Sequence, residues 1–536
     1  MYEEEFTRVA LIDHLLQTGD HDKLSRVVGE EFGRNLLGDD ALNAARLLRL
    51  PATVVFLATL AVENLPKAHR QRAWLGLYQS ILRQQEQSQL ADLPKRHPFK
   101  AFGRALIQGG PVEAGVLQNC HADIGLWLNV AELCIDQNRF DLLDQLAPEL
   151  ARRGLDVQEW LRLAKVLINR HPYIGSATDT APLARCYLRI VGNLNSTLPA
   201  VATVRSRLAL FAAQAYFTAA QYPAAVDAAR LATAPADQLH ALYDTARAYC
   251  HNGQLDEAIQ YLDRLIPLFS ADSFRADLEA RRAMKSEDEK AAQKKFDPEQ
   301  AALALVDLQK ALDPIGQKAF LVSGTLLGYA REGRILLHDK DIDVGIIGWE
   351  GQYDVIAALL DSRLFKLDVR RLRGSQTHHM PVQHIASGVS IDIFVYHPEN
   401  GKLVTGVESY FGYLQRFAFT PFELKAVRFL DIDFYVPADV ELNLAENFGD
   451  WRQSDPDYIS HLQSPSTVDV GGKVFQIVGR LRALEAIRAG KLEKLRRVVQ
   501  IMEQHQHREA GMSDASLDLL RHVLQTSTPV PAEEAL

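Results

Sequence analysis

Apolar residues recur at helical spacing from the start of the chain to about residue 280, with few strand-like alternations. The pattern then changes. The stretches 319–323, 341–347, 365–372 and 389–396 alternate or run β-branched, which predicts short strands. Helices are expected ahead of them at 298–312 and between them at 325–331 and 353–360. Gly374 and the pair Ser387-Gly388 mark turns between the later strands. From about Gly479 the helical period returns, and the segment TSTPVPAEEAL at the end reads as disordered. The expected fold is therefore multidomain. An all-α N-terminal part (1–285) is followed by a charged linker (286–297), an α+β domain with a mixed sheet (298–478), C-terminal helices (479–525) and a tail (526–536).

The helical part repeats itself. AYFTAAQYPAAVDAA (215–229) and AYCHNGQLDEAIQYL (248–262) are offset by 33 residues, with weaker echoes at 129–146 and 15–27. Ala215 and Ala248 would let paired helices approach, Gly253 suits the turn, and Ala225 and Ala258 pack on the second helix. These stretches resemble tetratricopeptide-type repeats, whose stacked hairpins offer a long surface. That resemblance leaves open a surface for a protein partner or polymer, and equally a rigid spacer. The linker RRAMKSEDEKAAQKK (281–295) is charged and poor in large apolar residues. Structure restarts at FDPEQ, where Asp297 fits an N-cap, Pro298 the first helical position and Gln300 the reciprocal partner of a capping box.

Bulk properties narrow the class. The 536 residues are too many for one core. A net charge of −9 gives no global basic field, so nucleic acid is not an expected partner. Cys120, Cys134, Cys186 and Cys250 are scattered without zinc-site spacing and read as buried reduced thiols. The acidic MYEEEF start lacks the features of a signal peptide, and the longest apolar run, around 54–62, is far short of a membrane span. A soluble, cytoplasmic protein without a membrane span is expected.

The candidate chemistry lies in SGTLLGYAREGRILLHDKDIDVGI (323–346). Asp339, Asp341 and Asp343 stand at every second position, and residues two apart on a strand share one face. Crowded carboxylates repel unless a cation lies between them. In SIDIF, Asp392 stands between Ile391 and Ile393 with the same alternation. If the two strands are neighbours, Asp392 joins Asp341 and Asp343 on one face. Such an all-oxygen set suits Mg²⁺ or Mn²⁺ rather than zinc, and two ions could clamp a phosphoryl displacement. Upstream, Ser323-Gly324-Thr325 ends a strand and opens a helix. Its backbone N–H groups and hydroxyls form a phosphate cradle, with Arg331 and Arg334 following to neutralise a diphosphate.

These motifs resemble the LicD/fukutin family, a branch of the nucleotidyltransferase-fold superfamily. Its pattern has G-T-L-L-G, then an Arg, then a D-x-D-x-D run. VSIDIFVYH resembles its later carboxylate strand. The segment 427–458 resembles its closing part, with Val436-Pro437 ahead of a helix and Phe448-Gly449-Asp450-Trp451 after it. The resemblance covers about 298–460. It implies a phosphotransferase that moves phosphocholine, ribitol phosphate or glycerol phosphate from a CDP-activated donor to a glycan hydroxyl in surface polysaccharide or glycoconjugate synthesis. Carried over by position, Asp339, Asp341, Asp343 and Asp392 are the metal carboxylates, the last three catalytic. Ser323, Gly324, Thr325, Arg331 and Arg334 bind substrate. Lys340 within the acidic run and His338 in place of a frequent aromatic depart from the pattern.

The expected reaction is in-line attack of the acceptor hydroxyl on the β-phosphorus with release of CMP. Two alternatives stand beside it: transfer of a nucleoside monophosphate with release of pyrophosphate, and a non-catalytic repeat scaffold. His378, His379 and His384 lack zinc-pair spacing and read as loop residues near an acceptor site or as plain surface residues. Asp431 and Asp433 read as a hairpin. Tyr410, Phe411, Tyr413, Phe417 and Trp451 either stack a base or sugar or pack in the core.

Overall fold

A computed structural model shows how these patterns are realised. The described residues lie between 127 and 527. Outside them are 1–126, 136–138, 172–178, 284–296, 337–338, 340, 350–351, 368–376, 528–536 and a few single or paired positions. The repeat echo at 15–27, the longest apolar run, Cys120, most of the expected linker, His338, Lys340 and most of the tail fall outside them. The chain divides into two compact units, Met1–Ala248 and Tyr249–Leu536.

In the first unit the described residues are helical: α1 (Phe140–Arg152), α2 (Val157–Asn169), α3 (Ala181–Asn193), α4 (Pro199–Thr218), α5 (Tyr222–Ala229) and α6 (Pro235–His251), the last three residues of which belong to the second unit. α4 packs against α3 and α5. Ala215 and Ala225, the small residues of the first repeat copy, are buried as expected. The buried Ser206 hydroxyl donates to Asp237 (2.8 Å) and accepts from Ala234 N–H (2.9 Å), which fixes the start of α6 on α4. Cys134 and Cys186 are buried thiols whose pKa values burial pushes up.

The second unit begins with α7 (Leu255–Ser270) and α8 (Asp272–Ala283). α7 packs on two C-terminal helices, α14 (Lys473–Ala489) and α16 (Asp514–Thr526), with α15 (Leu492–Gln504) between them in sequence. Arg480, fully buried on α14, donates from Nε to Asp263 Oδ1 of α7 at 2.7 Å. The same guanidinium reaches the carbonyls of Gln476, Ala510 and Gly511. The second repeat copy thus carries its second helix into the sheet-bearing unit, and the expected linker, 286–297, falls within that unit.

The sheet follows α9 (Pro298–Leu312), whose N-cap is as expected: Asp297 accepts from Glu299 N–H (2.9 Å) and Gln300 N–H (3.4 Å). In order come β1 (Phe320–Leu321), α10 (Ser323–Glu332), β2 (Ile342–Ile347), α11 (Gln352–Asp361), β3 (Phe365–Leu367), β4 (His379–His384), β5 (Ser390–Glu399), β6 (Lys402–Glu408), β7 (Leu414–Phe419), β8 (Leu424–Phe429), β9 (Ile432–Pro437), α12 (Val440–Phe448) and the short α13 (Ser460–Gln463). The strand order is β3-β4-β5-β2-β1-β9-β8, with β6 pairing β5 and β7. β2–β5 and β1–β9 are parallel and the other pairs antiparallel, so the sheet is mixed. Leu430 and Asp431, both at positive φ, make the two-residue β8–β9 turn.

Ile342, Val344 and Ile346 of β2, Ile391, Ile393 and Val395 of β5, and Met380 and Val382 of β4 are buried on one face. His384 on that face places Nε2 3.4 Å from Asp307 of α9, so α9 covers it. The other face carries the polar residues of interest beside a cluster of Phe320, Val322, Tyr396, Leu403, Phe417 and Phe419. Phe417 is therefore core, and Phe411, Tyr413 and Trp451 are buried as well, whereas Tyr410 is exposed.

Candidate functional site

The site forms where β1 ends and β2 begins. β1 and β2 are antiparallel, Leu321 opposite Val344, so the chain leaves β1 beside the N-terminal end of β2 and turns into α10. Ser323 makes that turn at φ 44°, a left-handed conformation rare for a residue with a side chain. Gly324 N–H then donates to Asp343 Oδ2 at 2.9 Å, and Asp343 N–H donates to Thr325 Oγ1 at 2.8 Å. The helix start and the carboxylate strand are locked together by this exchange.

The close approach requires glycine. A Cβ on Gly324 would lie 2.8 Å from Asp339 Oδ2 and 3.1 Å from Asp343 Oδ2. Gly345, two residues along β2, has the ring of Phe320 where a Cβ would be, 2.4 Å from its Cζ. The Phe320 ring in turn packs on Tyr396 and Phe422. The carboxylates therefore border an apolar wall.

β5 brings the third strand position. In the parallel β2–β5 register Asp343 stands directly opposite Asp392. Burial, and then repulsion from Asp341, Asp339 and Asp392, push the Asp343 pKa well above the ordinary carboxylate range, and the Gly324 N–H pulls the other way. The Tyr396 hydroxyl is pushed up too, by burial and then by the charge of Asp343.

The sequence-predicted residues divide into two groups. Gly324, Asp339 and Asp343 come together, with Asp341 and Asp392 close enough to raise the Asp343 pKa. Thr325 is 1% exposed and its hydroxyl serves the backbone of β2, so its expected contact with substrate is revised to a role inside the fold. Arg331 donates to the carbonyls of Trp451 and of Gln453 (the latter at 2.7 Å). Arg334 pairs with Glu332 at 2.9 Å on the surface. Both guanidiniums are engaged by groups other than the carboxylates, because sequence proximity does not fix where a long side chain reaches.

Three residues outside the predicted site set border it: Asn447 and Tyr458, which sequence reasoning passed over, and His379. Asn447 of α12 donates from Nδ2 to Ser323 Oγ at 3.2 Å, and Tyr458 donates to the Asn447 carbonyl at 2.7 Å. His379 of β4, read as a loop residue, lies on a strand, with Nε2 3.0 Å from Asp392 Oδ1. The apolar alternation of Met380 and Val382 could have revealed that strand, but Pro381 between them argued against it.

The donor set is all oxygen, hard and anionic, which fits Mg²⁺ or Mn²⁺ in kind. Among the described residues, no three His, Cys, Asp or Glu side chains converge at metal-ligand spacing. The carboxylates are gathered without being closed into a shell. Also among the described residues, no helix is long and apolar enough to cross a membrane.

What fold and site define is an α+β domain whose mixed sheet gathers carboxylates from two parallel strands beside a turn into a helix. Residues 316–439 match the family model described as LicD/FKTN/FKRP, nucleotidyltransferase domain. The chain is also similar to the ribitol-5-phosphate transferase FKTN of Homo sapiens and of Macaca fascicularis, each 26% identical over 159 residues. The same protein of Mus musculus is 27% identical over 159 residues. Each alignment covers 27% of this chain, and the chain spans 34% of the length of these curated relatives. The matches support the LicD family for the sheet-bearing part.

Proposed function

We propose that the second unit is a phosphotransferase of the LicD/fukutin type. It moves a phospho-alcohol from a CDP-activated donor to a glycan hydroxyl and releases CMP. The observation that carries this reading is the register of Asp343 against Asp392 beside the Ser323-Gly324 turn, inside the matched stretch 316–439. The name shared by the three relatives makes ribitol phosphate the first alcohol to test, with glycerol phosphate and phosphocholine next.

Asp343 and Asp392, helped by Asp339 and Asp341, would hold Mg²⁺ or Mn²⁺, in two ions on this reading. When bound, the metal supplies positive charge that stabilises a diphosphate and lowers the pKa of a hydroxyl. The chain's own residues do the rest. Ser323 Oγ accepts from Asn447, so its proton is left to donate to a phosphoryl oxygen. Asp392 is the candidate proton acceptor for the glycan hydroxyl. The hydroxyl oxygen forms a bond to the β-phosphorus, the bond to the bridging oxygen breaks, and CMP departs with that oxygen. The apolar wall of Phe320 and Tyr396 limits water at the carboxylates. The helical first unit, with its tetratricopeptide-like hairpins, would offer a docking surface for a polymeric acceptor or a protein partner.

The experiment is a screen of CDP-ribitol, CDP-glycerol and CDP-choline with a crude glycan acceptor and Mn²⁺, followed by product analysis. CMP release supports the reading, and pyrophosphate release would point to transfer of a nucleoside monophosphate instead. Asp343→Asn and Asp392→Asn should each abolish turnover in a folded protein. Near-native rates in both would remove the site assignment.

A further inference from the structure

His379 is the polar residue of the second unit whose placement the described contacts leave least explained. It is 5% exposed, and neither ring nitrogen has a hydrogen-bond partner. Nε2 nevertheless lies 3.0 Å from Asp392 Oδ1, within ion-pair reach but off the line of a good hydrogen bond. A buried polar side chain left in this way has a cost and calls for a reason. The ring is not loose: it stacks on Phe394, centroids 5.0 Å apart and planes 15° apart. Phe394 is opposite His379 across β4–β5, and Pro381 is opposite Asp392. Proline has no N–H to offer there. The imidazole is thus the nearby donor on β4, held in one orientation by an aromatic face.

The geometry points to His379 as the positioning residue for Asp392. With a proton on Nε2 it would hold one carboxylate oxygen, so that the other turns toward Asp343 across the parallel pair. A small rotation of the Asp392 carboxylate brings the existing 3.0 Å approach into line. Residues that orient a metal-binding carboxylate or imidazole in this way typically change metal affinity about 10- to 100-fold. The inference rests on the reading that Asp343 and Asp392 bind a divalent cation, and goes further by naming the residue that sets the angle of one of them.

The test is Mn²⁺ binding to the full-length chain, by titration calorimetry or by loss of the free-ion electron paramagnetic resonance signal. Two variants are compared with wild type. His379→Phe keeps the stacking and removes the donor, and His379→Gln restores an N–H near the Nε2 position. We expect His379→Phe to weaken Mn²⁺ binding by tenfold or more and His379→Gln to recover most of it, with melting temperatures close to wild type. Equal affinity in wild type and His379→Phe would overturn the positioning role while leaving the metal reading intact. So would equal weakening in both variants. If His379→Phe does not fold, His379→Gln decides: affinity within threefold of wild type supports the role, and a loss of tenfold or more overturns it. A wild-type chain that binds no Mn²⁺ overturns both the inference and the metal reading beneath it.

Discussion

Gly324→Ala tests whether the turn and the carboxylates form one device. The new Cβ would stand 2.8 Å from Asp339 Oδ2 and 3.1 Å from Asp343 Oδ2, where ordinary contact begins at 3.4 Å. Asp339 must therefore withdraw by 3.4 − 2.8 = 0.6 Å and Asp343 by 3.4 − 3.1 = 0.3 Å. Both obstructing atoms are ends of side chains, so the backbone can stay. The 2.9 Å bond from Gly324 N–H to Asp343 would lengthen. Alanine also favours a helix over glycine by up to about 1 kcal/mol. The net change in stability should then be within about 1 kcal/mol of zero. Function should respond far more. Productive sites hold their groups within about 0.5 Å, and a 1 Å misplacement can cost about 10²-fold. We expect roughly a 10- to 100-fold loss in CMP release and a parallel loss of Mn²⁺ affinity. Assays would pair donor turnover with a thermal melt. Gly192→Ala serves as control, since a Cβ there meets nothing within 4 Å. Turnover within twofold of wild type would refute the argument. So would a fall in stability of several kcal/mol, which would mean that the backbone, and not the carboxylates, needed the space.

Two further predictions concern the frame around the site. Asp263→Ala leaves the fully buried Arg480 with carbonyl and amide acceptors but no anion. Asp263 is partly exposed, so the cost should sit below that of a fully buried pair, at about 2–3 kcal/mol; a chemical-denaturation midpoint unchanged from wild type would show that the neutral acceptors suffice. Burial, and then the charge of Arg482, lower the His461 pKa from 6.5 to about 3, so a neutral imidazole must charge in acid. Its contribution to stability is present above pH 6.5 and lost as pH falls from 6.5 toward about 3. His461→Asn should flatten the stability curve over that window, and an unchanged acid slope would count against the assignment.

How far the sequence foretold the molecule depends on whether each signal is local. The N-cap at Asp297, the helix over 298–312 and the β8–β9 turn depend on a few adjacent residues, and all three were readable. The face shared by Asp343 and Asp392 was readable for another reason: equal alternation on two apolar strands allows few registers once a face is buried. The place where the chain divides was not. α7 has the same amphipathic pattern whichever helices receive it, and only the fold shows Asp263 meeting Arg480, 217 residues later. β4 was hidden because Pro381 stands in the middle of its alternation, where sequence rules argue against a strand. The partners of Arg331 were not readable either, because the carbonyls it serves, at 451 and 453, are more than a hundred residues away.

The site's position follows from strand direction more than from any single residue. β2 and β5 run parallel, so both enter the sheet from the same end and place Asp343 and Asp392 at one level. β1 runs against β2 and so ends where β2 begins, which delivers the N-terminus of α10 to that same level. A one-residue slip of β5 would set Ile391 or Ile393 against Asp343 and turn Asp392 into the apolar layer beneath α9. Such a slip would bury a charge and expose a row of isoleucines, so the hydrophobic core enforces the register that the chemistry needs. Variants that loosen that layer, far from any carboxylate, should therefore disturb the site through the register before they disturb it through contact.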